Sequence, residues 1–236
     1  MSYPEIVSRE QWRAAREELL RKEEAVRRAR EALGSERRRL PMVEVDPEYV
    51  FEGGDGKATL LDLFGGRAQL VVHHFMFAPE WETGCPCCAA FLDQVGHLAH
   101  LRARNTSFAA VSRAPFTRIL PFKARMGWAV PWYSSAHSGD DGDRDRRSGR
   151  VRDVDRDVNR DFNRDFEATV EADGELVERP GLSCFLRDHD RVFHTYSVFD
   201  DGLDGLGTTS ALLDLTALGR SPAGSERLRL HDEYEY

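Results

Sequence analysis

The run "AQLVVHHFMF", residues 68–77, limits the folds open to this chain more than any other feature. It is apolar nearly throughout rather than alternating, which is the pattern of a central strand buried on both faces. "TSFAAVS" (106–112) reads as a second buried strand, and residues 86–101 between the two read as a helix. Ahead of the run, "YVFE", the turn "GGDG" and "KATLLDLF" read as a hairpin entering a short helical segment. Behind it come the helix "FTRILPFKARMGW", bent or begun by Pro121, then two short strands, "LSCFLRD" and "RVFHTYSV", joined by a "DHD" turn. A last helix lies near 205–214. Strands alternating with helices imply an α/β fold with a mainly parallel sheet, to which the terminal hairpin adds antiparallel strands.

The N-terminal segment, residues 1–40, reads as one amphipathic helix. Ser8 and Gln11 make a capping-box pattern. Trp12, Ala15, Leu19, Lys22, Val26, Ala29 and Leu33 follow a narrow heptad-like seam, and Gly34 is expected to stop it. Such a seam needs a covering surface, either the protein's own core or a second subunit, so a homodimer through this helix is one expectation. Residues 138–160 are an Asp/Arg polyampholyte with little to bury and read as a disordered insert. Calcium is excluded there: an EF-hand loop needs Gly sixth and Glu twelfth, and a loop started at Asp153 offers Val158 and Arg164. Residues 221–236 read as a polar tail.

Composition sets outer limits. The formal net charge of −8 argues against a nucleic-acid binder, which needs a basic face. No apolar run approaches the length of a membrane span, and the N-terminus shows no signal-peptide pattern, so a cytoplasmic protein without membrane association is expected. In a reducing compartment, four cysteines suggest redox or metal chemistry rather than a disulfide scaffold.

Three of those cysteines sit together in "WETGCPCCAAF", residues 81–91. With Cys85 as N-cap, Pro86 falls at the first helical position, where its missing N–H costs nothing. Cys85 then lies among the unpaired N–H groups of a helix start, which stabilise a thiolate, and Cys88 shares its face one turn further in. That assigns Cys85 as nucleophile toward a disulfide and Cys88 as the resolving thiol. Cys87, at helical spacing, is expected to point elsewhere. A metal site is the competing reading, for copper or zinc, with His73, His74, His97 and Cys184 as further ligands to consider. One Cys-x-x-Cys supplies only two ligands, so no metal and no cofactor are expected. A lone strand histidine is expected to be satisfied by core hydrogen bonds. Trp81, Trp128 and Trp132 are candidate walls of a cleft, and Arg113 ends a strand where ligand-binding residues gather in parallel sheets. His194 is a candidate acid or base, and His231 a weaker one in the tail.

The element order resembles a thioredoxin-like domain over residues 41–220, a central mixed sheet flanked by helices, with the N-terminal helix as an extension. "LPMVEVDPEYVFEGGDGKATLLDLFGGRAQLVVHHFMFAPEWETGCPCC" resembles the domain of unknown function 899 family. So do "VSRAPF", "MGWAVPWYSS", "DFNRDF", "VFHTYS", "LDLTALGR" and the ending "HDEY". That resemblance implies a dithiol-disulfide oxidoreductase acting on a protein or small-molecule thiol or disulfide; a non-catalytic binding protein or a thiolate metal protein are the alternatives. The family usually has Ser where this chain has Cys87, which leaves Cys85 and Cys88 as the pair. A more distant similarity, to peroxiredoxins, places Thr or Ser where Glu82 stands; a carboxylate there is expected to raise the Cys85 pKa. Thioredoxins carry a cis-proline facing the pair. Here Pro180 comes slightly early, with Gly181 to Ser183 nearest the expected place.

Overall fold

The computed structural model describes residues 3–136, 161–172, 174–220 and 228–235. The insert at 138–160 and the first part of the tail therefore lie outside the described residues.

The described residues form ten strands, β1 (Val43–Val45), β2 (Val50–Gly53), β3 (Gly56–Thr59), β4 (Gln69–His74), β5 (Thr106–Ser112), β6 (Trp132–Ser134), β7 (Thr169–Ala172), β8 (Glu175–Glu178), β9 (Gly181–Asp188) and β10 (Arg191–Phe199). The helices are α1 (Arg9–Arg37), α2 (Leu60–Leu63), α3 (Pro86–Asp93), α4 (Ala99–Arg102), α5 (Phe116–Arg125), α6 (Phe162–Asp165) and α7 (Thr208–Leu213). Eight strands form one sheet in the order β1-β10-β9-β4-β5-β6-β2-β3, and β7 pairs with β8 alone.

At the centre, β4 pairs in parallel with β5 and antiparallel with β9, and β9 pairs antiparallel with β10. With α3 and α4 crossing between β4 and β5, this βαβ unit followed by an antiparallel hairpin is a thioredoxin-like fold. The sheet is mixed, as that fold implies, but less parallel than the alternation of strands and helices suggests, since among its pairings only β4–β5 and β5–β6 are parallel. The additional strands β1, β2 and β3 join by antiparallel pairing, β2 and β3 as a tight hairpin and β1 against the distant β10.

Both faces of the sheet are covered, as the β4 composition requires. On one face Cys88 and Leu92 of α3 pack with Ile119 and Phe122 of α5, Phe75, Phe77 and Trp132. On the other, Leu60 and Leu63 of α2 pack with Phe162, Phe166, Phe51, Val72 and Phe185. Full burial of each such side chain contributes roughly 1.5–3 kcal/mol. Pro121 lies inside α5 rather than beginning it.

Other boundaries shifted for local reasons. The helix expected over 86–101 stops at Asp93, with the chain through Gly96 separating α3 from α4. Gly34 does not end α1, which continues to Arg37; the Ser8–Gln11 capping box forms as the pattern indicates. No residue of α1 is buried, so the seam is not covered by the protein's own core. The tail is less free than its polarity suggests: Leu230 is buried, and Asp232 accepts two hydrogen bonds from Arg125 at 2.7 and 2.9 Å. No helix among the described residues is long and apolar enough to cross a membrane.

Candidate active site

The end of β4 passes through buried Phe75 and Phe77 into a loop that returns the chain to the sheet face at Cys85. Two backbone bonds pin that return. Cys85 N–H donates to the Met76 carbonyl at 2.9 Å, and Met76 N–H donates to Cys88 Sγ at 3.3 Å. Cys85 is the N-cap of α3 in extended backbone (φ −63°, ψ 130°), and Pro86 occupies the first turn. Gly84 is required here. A Cβ on it would stand 2.5 Å from Phe75 Cε1 and 2.9 Å from Phe122 Cε1. Gly84→Ala is therefore expected to cost about 1–3 kcal/mol and to misplace Cys85, read as a lowered melting temperature together with slower thiol reactivity.

Cys85 is partly buried, Cys87 exposed and Cys88 buried. All three Sγ atoms lie within 4.8 Å of one another, and Cys85 Sγ is 3.0 Å from Cys87 Sγ. All are free thiols, since a disulfide would bring two sulfurs to about 2.05 Å. The placement of Cys87 corrects the sequence expectation. An N-cap residue has left helical backbone geometry, so the 100° spacing that would separate residues 85 and 87 does not apply to it.

These contacts set the acidities. Hydrogen bonds from the Cys87 and Cys88 thiols, then from the backbone N–H groups of Cys88 and Cys87, hold Cys85 far below the ordinary thiol range against the opposing effect of burial. The same contact pushes Cys87 up to about 11, and burial raises Cys88 well above the usual value. Glu82 is not among the groups that set the Cys85 shift, whose net direction is downward. Glu82 itself is exposed.

The remaining sequence candidates divide. Trp81 stands at the surface of the same loop, its carbonyl accepting from Arg118 at 2.8 Å. Trp132 is core, donating to Ser112 Oγ at 3.0 Å, and Trp128 donates to Asp93 at 2.7 Å, as His231 Nδ1 approaches the same carboxylate at 2.8 Å. Neighbouring residues on a strand point to opposite faces. His73 packs against Phe91 of α3, on the cysteine side, whereas His74 stacks on Phe162 on the other. Ser183 and His194 belong to His74's side. His74 Nε2 lies 2.7 Å from Ser183 Oγ, which is 2.8 Å from Ser197 Oγ, which is 2.7 Å from His194 Nε2. The structure thus does not bring Ser183 or His194 to the thiols, and no cis peptide occurs among the described residues.

Two features were not legible in the sequence. His73 is fully buried with both ring nitrogens unpartnered, against the expectation of a satisfied histidine, and burial lowers it to about 3, with His74 adding and Cys85 opposing. The side chain of Glu178 is only 6% exposed, and its Oε1 lies 3.6 Å from Arg113 Nη1 without a hydrogen bond. Arg113 is thus occupied by a carboxylate from β8. Burial raises Glu178 from 4.5 to about 7, opposed by Arg113 and by a backbone hydrogen bond from Phe77. A raised folded-state pKa gives stability that is complete below pH 4.5 and is lost as pH rises to about 7. The loss amounts to about 3 kcal/mol at most. Glu178→Gln is expected to remove this slope from denaturant-unfolding curves taken across that window.

In comparisons with known proteins, no curated protein matches the chain in sequence. Among solved structures, Xanthomonas campestris peroxiredoxin Q is similar at 15% identity and a TM-score of 0.47, covering 75% of this chain and 98% of that one. Mycobacterium tuberculosis peroxidoxin BcpB is similar at 16% identity and a TM-score of 0.42, covering 67% of this chain and 86% of that one. One family profile, described as a bacterial protein of unknown function, DUF899, matches residues 1–234. With that match running over nearly its whole length, the chain belongs to the DUF899 family.

Proposed function

We propose that this protein is a thiol-disulfide oxidoreductase in which Cys85 is the nucleophile and Cys88 the resolving thiol. The observation that carries the reading is the packing of a partly exposed N-cap thiol against two further thiols at the start of α3, all within 4.8 Å. In the reducing direction, the Cys85 thiolate attacks one sulfur of a substrate disulfide. The substrate S–S bond breaks, a mixed disulfide forms, and the first substrate thiolate leaves. Cys88 then gives up its proton as it attacks Cys85 Sγ, the mixed disulfide breaks, and the second substrate sulfur leaves and takes up a proton. The protein ends with a Cys85–Cys88 bond and the substrate with two electrons; the same steps reversed oxidise a dithiol.

The geometry supports this order of attack. Cys85 is reachable from solvent and is the more acidic thiol, whereas Cys88 is shielded and held by the Met76 N–H. The substrate is a protein or small-molecule thiol or disulfide. Reduction of a model disulfide by the pre-reduced chain, followed by alkylation and mass mapping, tests the proposal. A stoichiometric Cys85–Cys88 bridge is the expected product, and unreacted thiols at Cys85 would refute it.

A further inference from the structure

Exchange chemistry uses two thiols, and the site has three. We infer that Cys85, Cys87 and Cys88, when all are reduced, form a binding site for copper(I) held by three thiolates. The inference shares its residues with the exchange reading but adds an occupant that reading does not require.

Three observations carry it. The first is spacing. A metal–sulfur distance of about 2.3 Å places the corners of a trigonal site about 4 Å apart. The three Sγ atoms already lie within 4.8 Å of one another, so the Cys85–Cys87 separation of 3.0 Å need only open by side-chain rotation. The second is ligand type and number. An all-sulfur set selects a soft ion over magnesium, calcium or manganese. Among the described residues the group closes at three, without a histidine or carboxylate within the same reach, whereas a structural zinc site takes four ligands. The third is enclosure. Cys88 shuts the back of the site and Cys87 leaves its front open to an arriving ion. The Met76 N–H, already on Cys88 Sγ, offsets part of the thiolate charge.

Binding is a proton exchange without electron transfer: one copper(I) ion enters, the protons still held on the three sulfurs leave to solvent, and three sulfur–copper bonds form. A disulfide between any two of the thiols removes two ligands, so the oxidised protein does not hold the ion. Copper occupancy and disulfide exchange exclude each other, and copper(I) would therefore block the site competitively.

The test is an anaerobic titration of the reduced full chain against copper(I) presented as its bicinchoninate complex. The wild type is expected to withdraw one equivalent and to gain a sulfur-to-copper charge-transfer absorption. Cys87→Ser, a change at an exposed position, is expected to lose affinity by at least about tenfold. Cys184→Ser, outside the cluster, is expected to bind as the wild type does. Failure of the wild type to take copper, equal affinity in Cys87→Ser, equal loss in Cys184→Ser, or preference for zinc at matched free concentration would each overturn the inference. A parallel glutathione titration of the copper-free wild type separates the two readings. A reversible couple without copper binding removes only this inference, and copper binding without a couple removes only the exchange reading.

Discussion

Cys85→Ser is expected to lower disulfide-exchange activity by at least ~10³-fold, because a hydroxyl at the N-cap position is not ionised where the thiolate is. The single replacements of the other two thiols should behave differently from each other and from this. Cys88→Ser removes the buried resolving thiol but leaves Cys87 Sγ 3.0 Å from Cys85 Sγ. That variant is expected still to close an internal bond, now Cys85–Cys87, and to release its substrate. Only the double variant Cys87→Ser/Cys88→Ser should hold the substrate as a stable mixed disulfide. Acid quenching followed by intact-mass analysis distinguishes these outcomes. A trapped adduct in Cys88→Ser alone would show that Cys87 does not reach the mixed disulfide.

The second large effect is on stability in acid. Burial lowers His73 to about 3 and His74 to about 4, from an ordinary value of 6.5. For His74 a bond toward Asn163 opposes the shift and His194 adds to it. A depressed folded-state pKa on a base gives stability that is complete above the unfolded value. Here it is lost as pH falls from 6.5 through about 4 and then 3, since the unfolded chain takes up protons the folded chain refuses. The two groups together amount to several kcal/mol, a large part of the usual stability of a domain. Acid unfolding is therefore expected to begin below pH 6.5 and to be steep.

His73→Leu should move that transition to lower pH. It should also stabilise the protein at neutral pH by roughly 1–3 kcal/mol, because both ring nitrogens of His73 are buried without partners and leucine carries none. Circular dichroism across a pH series, with denaturant unfolding at pH 7, reads both. An unchanged acid midpoint, or a loss of stability at neutral pH, would mean that the ring nitrogens of His73 are hydrogen-bonded in solution.

The elements that sequence alone located are those whose burial leaves a local pattern. The central strand, its parallel neighbour "TSFAAVS" and the terminal hairpin were readable because runs apolar on both faces have few other places to go. The cap of α3 was readable because Cys-Pro at a helix start is a local geometric requirement. What failed was set by distance in space. Trp132–Ser134 is too short to show a period and becomes a strand through pairing with Ala110–Ser112 on one side and Glu52 on the other. Strands β7 and β8 carry Glu171, Glu175 and Glu178 among their apolar residues, which hides their alternation. Likewise Glu178 meets Arg113 across 65 residues of chain, a pairing without local sequence signal. Cys87 was misplaced for a different reason: helical spacing was extended to Cys85, which is not itself helical.

Whether Cys85 and Cys88 form a reversible dithiol couple is read from the potential of the pair. The copper-free chain is equilibrated in glutathione buffers of graded ratio, alkylated, and mapped by mass spectrometry. A Cys85–Cys88 bridge is expected to form and open reversibly, with a midpoint between about −120 and −270 mV, the span of known dithiol catalysts. Thiols that stay reduced across the whole series, or a bridge that once formed does not open, would contradict it.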